Sequence, residues 1–201
     1  NKPEKSFSAG LDVSPHNGNT YPSRQFAPPG NWTFYHYWPE MRSWQTPWGA
    51  AIPGQPNPYY GNGFYPHPPV VVPRDEWICV EIMVKLNSSP TAADGAVALW
   101  INGKLVSHFG PGTVTGYWER EAFRTDPTNA RSRPFEGFRW RLDDQVLINS
   151  IKLESYVTET SYQQTEQYNA EHPEDQVNIE QGVVWFDHLV VATEYIGPLW
   201  P

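Results

Sequence analysis

The chain has 201 residues, of which 39% are hydrophobic and 18% are charged, and this composition is typical of one folded globular domain. Its 10 Trp, 11 Tyr and 9 Phe exclude a low-complexity tail, in spite of 21 Pro and 15 Gly. A net charge of −8 disfavours nucleic acid as a partner, because phosphate binding needs a basic surface. No stretch of the sequence is long and apolar enough to span a membrane.

The first third of the chain is interpreted as loops around one strand. Residues 1–30 and 43–73 are rich in Pro, Gly, Asn and Ser, which do not form the interior of a β-ladder. Between them, residues 31–41 (NWTFYHYWPEM) predict a short aromatic strand that ends at Pro39.

A clear strand pattern begins at Trp77. Apolar side chains occupy alternate positions over residues 77–87, which predicts a half-buried strand. Residues 96–101 follow as a second strand, and Asn102-Gly103 is a strong signal for a two-residue hairpin turn into a third strand over 104–109. The side chains expected to face the core are Ile78, Val80, Ile82, Val84 and Leu86.

The last third of the chain predicts two more strands and a long excursion. Residues 146–157 and 183–192 are rich in β-branched or aromatic residues, as strands are. The polar tract 162–181 is the best helix candidate, yet the His172-Pro173 break favours a loop. Paired short strands without helices predict an all-β fold, a two-sheet antiparallel sandwich or jelly roll with long Pro/Gly-rich loops.

Three segments carry a family resemblance. Residues 77–87 (WICVEIMVKLN) and 94–104 (DGAVALWINGK) resemble the central strands of alginate-lyase-like and glucuronan-lyase-like jelly rolls. Residues 183–192 (VVWFDHLVVA) with 195–198 (YIGP) resemble their closing strand. The resemblance implies a concanavalin A-like jelly roll that handles polysaccharide, and the lyases' catalytic motif is not identified in this sequence. Fold alone does not establish an activity.

The same resemblance bears on the domain boundaries. Such jelly rolls open with one or two long strands, which are not evident before the Pro-rich loops. We therefore interpret residues 1–201 as a single jelly-roll domain that lacks its first strands. Three explanations stay open: the chain is a fragment, it is part of a larger chain, or a neighbour supplies the missing edge.

The densest aromatic cluster is a candidate sugar-binding surface. Aromatic rings stack on the apolar faces of pyranose rings, and alternate strand positions can line a groove. The equally weighted alternative is that these rings fill the core. The candidates for substrate binding are Tyr35, Trp38, Arg42 and Trp44, with Trp48 and the neighbouring His36 and Tyr37 in the same stretch.

Arg139 and Arg141 flank Trp140, so in a strand their guanidinium groups would share one face. Arginine binds carboxylates through two parallel hydrogen bonds, as recognition of a uronate requires. The alternative is that they form ion pairs with Glu136, Asp143 or Asp144. Such pairs would contribute little to stability at the surface.

Catalytic and metal-binding residues are less well defined. A β-eliminating lyase needs a group that neutralises the carboxylate, a base near the C5 proton and an acid for the leaving oxygen. Besides the two arginines, the candidates for these roles are His36, Tyr37 and Tyr156, followed by His108, Tyr35 and Lys152. Glu81 and Glu154 could form the carboxylate pair of a hydrolase. Asp187 is the candidate for calcium binding, the one cofactor that the resemblance suggests.

Two functional hypotheses result. The first is a secreted or cell-surface domain that recognises carbohydrate, either a polysaccharide lyase acting on uronate-containing glycans or a non-catalytic relative. The alternative is a structural or assembly domain of an extracellular or cell-surface complex. Polysaccharide is the expected partner, and a homo-oligomer or a larger surface assembly stays open.

Overall fold

The computed structural model describes residues 6–14, 30–41, 62–119, 122–155, 159–176 and 183–198. Its chain divides into two units: the first comprises Asn1–Leu147 and Tyr195–Pro201, and the second is Ile148–Glu194. Every strand that the structure describes belongs to the first unit. Among the described residues, no helix is long and apolar enough to cross a membrane.

The first unit is built from two sheets. The strands are β1 Ser8–Ser14, β2 Asn31–Tyr37, β3 Gly63–Phe64, β4 Val80–Lys85, β5 Ala96–Ile101, β6 Lys104–Phe109, β7 Thr115–Glu119, β8 Ala122–Thr125 and β9 Arg133–Pro134. One sheet has the order β1-β2-β3-β8-β7-β9, and the other has the order β4-β5-β6. All neighbours are antiparallel except β3 and β8. The all-β, two-sheet prediction is confirmed.

An aromatic core joins the two sheets. Phe109 of β6 contacts Phe34 of β2, Phe64 of β3 and Phe123 of β8, with ring centroids 5.7, 5.3 and 6.1 Å apart. All four rings are almost completely buried. Because the rings of one sheet rest on a ring of the other, the sheets face each other as in a sandwich.

Two strands lie where the sequence predicted only loops. β1 falls within residues 1–30 and β3 within residues 43–73. In β1, Ala9 and Leu11 pack against the core while Asp12 is exposed, so the alternation of a half-buried strand is present. Its Ser and Gly content concealed this pattern. The prediction that residues 1–30 and 43–73 are loops throughout is therefore wrong, whereas the absence of the first strands of a jelly roll stays a prediction.

The register of β4 on β5 agrees with the prediction in part. Val84 pairs with Val97 and Ile82 with Leu99, and both partners on β5 are fully buried. Val84 and Leu86 pack against the core as expected, and Ile78 is half-buried. Val80 and Ile82, however, are 39% and 38% exposed. The predicted inner face is thus confirmed only toward the carboxyl end of the strand.

The predicted hairpin turn is confirmed. Asn102 and Gly103 join β5 to β6 with φ of 49° and 76°. Positive φ at both central positions matches the twist of the flanking strands, and Asn and Gly tolerate it best.

We expect Gly103→Val to destabilise the protein by about 2–4 kcal/mol, since it combines left-handed strain with overpacking. A Cβ at this position would lie 2.9 Å from the ring of Pro198. Gly112→Val is the control, because Gly112 also has positive φ but a Cβ there would meet nothing within 4 Å. Urea unfolding of both variants measures the difference. Equal losses would show that the contact with Pro198 is unimportant.

The second unit contains helix α1, Glu159–Glu171, where a loop was predicted from residue 162 onward. Pro173 only ends this helix, because the residue before a proline avoids the helical conformation. The side-chain amides of Gln163 and Gln167 donate to Glu159 and Glu171, one turn away, and stabilise it.

The strands predicted over 146–157 and 183–192 are absent from the part of these segments that the structure describes. Their residues have strand propensity, but propensity reflects packing against neighbouring strands rather than an intrinsic backbone preference. Without a paired neighbour, these segments are not strands.

Candidate functional site

Strand β2 presents two tyrosines on the outer face of the six-stranded sheet. Tyr35 and Tyr37 are 41% and 37% exposed, whereas Phe34 and His36 between and beside them are completely buried. The two tyrosine hydroxyls lie 2.8 Å apart, and the rings meet edge to face with centroids 5.2 Å apart. Alternation along the strand therefore separates a core face from an outer face.

Small residues surround Tyr35 on the neighbouring strands. Its register partners are Gly10 on β1 and Gly63 on β3, and Gly63 pairs in turn with Ala122 on β8. Since directly paired residues point to the same side of a sheet, Tyr35 has no large side chain from these positions beside it.

Further across the same face, two arginines lie against tyrosine rings. The Arg124 guanidinium of β8 lies 5.7 Å from the ring centroid of Tyr65, and Arg124 pairs in register with Tyr117 of β7. The Arg131 guanidinium lies 4.3 Å from the ring centroid of Tyr117. These distances are those of cation–π contacts. Arg124 is buried and Arg131 is exposed.

We call this surface the tyrosine–arginine face. It is defined by Tyr35, Tyr37, Tyr65, Tyr117, Arg124 and Arg131. From β2 to β7 it crosses three strand spacings, about 14 Å, and in its middle Ala122 and Arg124 of β8 are buried.

The edge of this face carries an exposed histidine and a carboxylate. The Thr128 hydroxyl and backbone amide donate to Asp126, and these hydrogen bonds lower the pKa of its carboxyl group, with His67 acting in the same direction. His67 is exposed and follows the strand that leads to Tyr65. The edge therefore carries one imidazole and one carboxylate.

The sequence-predicted sugar platform is divided by the structure. Tyr35 and Tyr37 face outward, whereas Trp38 and His36 are 0% exposed and belong to the core. The ring of Trp38 lies 5.1 Å from that of Phe138, centroid to centroid, and its faces are occupied. The other candidates of this group, Arg42, Trp44 and Trp48, lie outside the described residues. The catalytic candidate Tyr156 lies outside them as well.

Arg139 and Arg141 bind protein groups. Nε of Arg139 lies 3.8 Å from a carboxylate oxygen of Glu40. Nη1 of Arg141 donates to the carbonyl oxygen atoms of Asp144 and Val146, and its Nη2 donates to that of Asn87. An ion pair with Asp144 at 3.5 Å adds to these bonds. Arg141 thus holds two loops together, in agreement with the ion-pair alternative.

His108 lies on the opposite sheet. By register with Ala98 and Met83, it shares the outer face of the three-stranded sheet with Lys85. Burial lowers the pKa of His108, and the Lys85 ammonium group acts in the same direction. His108 is therefore not on the tyrosine–arginine face.

The two glutamates considered for hydrolysis have structural partners. The carboxylate of Glu81 accepts hydrogen bonds from the backbone N–H groups of Ile196 and Gly197 at 2.9 and 3.0 Å. Glu154 forms an ion pair with Lys152. These contacts anchor backbone and side chains, and they leave no evidence for a pair of catalytic carboxylates among the described residues.

Asp187 accepts a hydrogen bond from the backbone N–H of His188, and one of its carboxylate oxygens lies 3.0 Å from Nδ1 of the His188 ring. Over the described ranges, no group of three or more His, Cys, Asp or Glu side chains could hold a metal ion. Calcium binding at Asp187 stays a prediction.

Four members of the tyrosine–arginine face were not found by sequence reasoning: Tyr65, Tyr117, Arg124 and Arg131. Tyr117 and Arg124 lie in strands of five and four residues, too short for alternation to stand out. Tyr65 and Arg131 lie outside strands, and nothing in the sequence links them to their partners.

Comparisons with protein-family models, with curated proteins and with solved structures find no significant match to this chain. The functional argument therefore depends on the geometry of the site.

Proposed function

We propose that this chain is a carbohydrate-recognising domain of the concanavalin A-like jelly-roll type, which binds uronate-containing polysaccharide on its tyrosine–arginine face. One observation carries the proposal: Arg131 lies 4.3 Å from the Tyr117 ring, on the outer face where Tyr35 and Tyr37 are also exposed. Stacking surfaces and a carboxylate-binding cation then occur together, as an acidic sugar chain requires.

The tyrosines suit sugar rings in two ways. Each ring offers an apolar surface for the C–H groups of a pyranose, and each hydroxyl can donate or accept a hydrogen bond. The paired hydroxyls of Tyr35 and Tyr37 stand close enough to share one sugar hydroxyl between them.

The arginines supply charge where the rest of the chain would repel an acidic polymer. The net charge is −8, so an acidic ligand binds only where cations gather. Arg131 is exposed, and a guanidinium group can bind a carboxylate through two parallel hydrogen bonds. Arg124, the second arginine of the face, is buried.

The face and its edge together hold the residue types that β-elimination needs. Arg131 would neutralise the uronate carboxylate, His67 would accept the C5 proton, and a tyrosine hydroxyl would give its proton to the leaving oxygen as a C4–C5 double bond forms. Release of unsaturated, ultraviolet-absorbing product from polyuronate tests this extension. Binding without such product would identify a non-catalytic binding domain.

We expect Arg131→Ala to weaken binding of a polyuronate roughly 10-fold or more, the loss typical of one charge-assisted contact. Arg139→Ala is the matched control, because Arg139 forms an ion pair with Glu40 and is not part of the tyrosine–arginine face. Calorimetry at low and moderate salt measures both variants, and the affinity of the wild type should fall as salt screens the charges.

The outcomes separate the two arginine sites. If Arg139→Ala lowers the affinity for polyuronate and Arg131→Ala does not, the binding site lies at Arg139 and Arg141, the pair predicted from sequence. If the wild type binds neither acidic nor neutral polysaccharide, the carbohydrate proposal is wrong.

A further inference from the structure

The guanidinium group of Arg131 covers one face of the Tyr117 ring. Its central carbon lies 4.3 Å from the ring centroid. An approach along the edge of the ring would leave the two farther apart, because the outer atoms of the ring would stand between them. A pyranose stacks on an aromatic ring through the same kind of contact, with its C–H groups on a ring face. The face that Arg131 covers is therefore not open to a sugar.

Tyr117 also differs from Tyr35 in its neighbours within the sheet. Strand β7 lies between β8 and β9, and Arg131 belongs to the turn that joins these two strands. The register partner of Tyr117 on β8 is Arg124, whose side chain leaves the sheet on the same side. Tyr35, by contrast, has glycine as its register partner on both neighbouring strands. The two tyrosines of one face thus have different surroundings.

Hydrogen bonds within its own turn hold the backbone that carries Arg131. Oδ1 of Asn129 accepts from the Arg131 backbone N–H at 2.9 Å, and the Asn129 carbonyl accepts from that of Ser132 at 2.9 Å. Nη1 of Arg133 donates to the carbonyl oxygen atoms of Ala130 and Ser132. These bonds fix the point from which the Arg131 side chain begins. The contact with the tyrosine ring acts at the other end of that side chain.

We propose that Tyr117 is a positioning residue, which holds the guanidinium group of Arg131 ready for a uronate carboxylate and does not itself stack on the sugar. This role rests on the proposed function, and it differs from that of Tyr35, whose ring meets the sugar directly. An arginine loses side-chain entropy when a ligand fixes it, and a contact that already restrains the side chain reduces that loss. Tyr117 therefore strengthens binding through Arg131 alone.

A double-mutant cycle measured by calorimetry separates positioning from stacking. We expect Tyr117→Leu to weaken polyuronate binding roughly 3- to 10-fold, the loss of one cation–π contact. In the Arg131→Ala background the same change should have no further effect, because the group that the ring restrains is gone. Tyr117→Phe keeps the ring and should recover most of the affinity. Losses that add in the double variant would mean that Tyr117 contacts the sugar, and they would overturn the proposal.

Tyr35→Leu is the matched comparison for the cycle. Tyr35 lies on β2, three strands away from β7 in the sheet order. Side chains so far apart act independently, so the loss in Tyr35→Leu should add to the loss in Arg131→Ala. Coupling of Arg131 to Tyr35 as strong as its coupling to Tyr117 would contradict a specific role for Tyr117.

The mobility of the Arg131 side chain tests the proposal without any ligand. NMR relaxation of its Nε–H group should show a restrained side chain in the wild type and in Tyr117→Phe, and a mobile one in Tyr117→Leu. Arg133 is the internal control, because backbone carbonyls hold its guanidinium group and it should stay restrained in all three proteins.

The relaxation results keep this proposal distinct from the proposed function. An Arg131 side chain that is mobile in the wild type, or equal loosening of Arg131 and Arg133 in Tyr117→Leu, overturns the positioning role. If the wild type binds no polyuronate, the proposed function is wrong, and the relaxation measurement still decides whether Tyr117 restrains Arg131.

Discussion

Trp38→Ala should destabilise the protein by about 3–5 kcal/mol, the usual cost of removing a large buried aromatic side chain. Trp38 is 0% exposed and contacts Trp118, Phe138 and Trp140. Truncation removes these contacts and leaves a cavity that the surrounding rings cannot fill without moving. Denaturant unfolding followed by tryptophan fluorescence and circular dichroism measures the loss.

Tyr37→Ala is the matched control on the adjacent position. Tyr37 points to the outer face and is 37% exposed, so its loss should cost about 1 kcal/mol. Binding should show the opposite order: Tyr37→Ala weakens polysaccharide binding, and Trp38→Ala affects it only through stability. If Trp38→Ala unfolds like the wild type but no longer binds polysaccharide, Trp38 belongs to the site after all.

The pair also shows how far sequence alone defines the site. The period of two separates Tyr35 and Tyr37 from Phe34 and His36, and the structure confirms β2 as Asn31–Tyr37. The period of two does not indicate which pair of residues faces the core, because both pairs are aromatic. That choice depends on the second sheet, whose Phe109 packs on Phe34.

The arginine prediction depended on a strand that the structure does not contain. Alternate spacing places Arg139 and Arg141 on one face only within a strand, and Phe138 forms just an isolated bridge with Gly95. Arg131, by contrast, meets Tyr117 across a turn, and the two are fourteen positions apart with no periodic relation. Such contacts are fixed by tertiary structure.

Local signals predicted local structure well. The hairpin over β5 and β6 follows from alternation on both sides of Asn102-Gly103. The parallel pairing of β3 with β8 joins residues 63–64 to 122–123, and no local pattern indicates it. The strands expected over 146–157 and 183–192 show the converse limit, because strand propensity becomes a strand only where a neighbour pairs with it.

The stability of the wild type should fall as the pH is lowered, in part because of one buried histidine. His36 is completely buried, and desolvation lowers its pKa from 6.5 to about 3, although a hydrogen bond with the backbone of Tyr35 opposes the shift. Nδ1 of His36 accepts a hydrogen bond from the Gly10 amide at 3.2 Å, and the imidazole ring packs against the rings of Phe64, Phe138 and Trp140. A charged ring has no solvation there.

The direction follows from proton binding in the two states. Between pH 6.5 and about 3, the unfolded chain binds a proton at His36 and the folded chain does not. Stability therefore rises with pH across this window. Above pH 6.5 the folded state loses no stability through His36. Below that pH the free energy of unfolding falls progressively toward pH 3, by a total on the order of 4–5 kcal/mol.

His36→Phe isolates this effect, because phenylalanine suits the aromatic surroundings and does not titrate. At neutral pH the variant should be about 1–3 kcal/mol less stable than the wild type, since the partly buried Gly10 amide loses its acceptor. Toward pH 4 the difference should shrink and then reverse, because only the wild type must bury an ionisable ring. Urea unfolding at a series of pH values measures both curves. Parallel curves from pH 7 to pH 4 would show that His36 is not the group that destabilises the folded chain in acid.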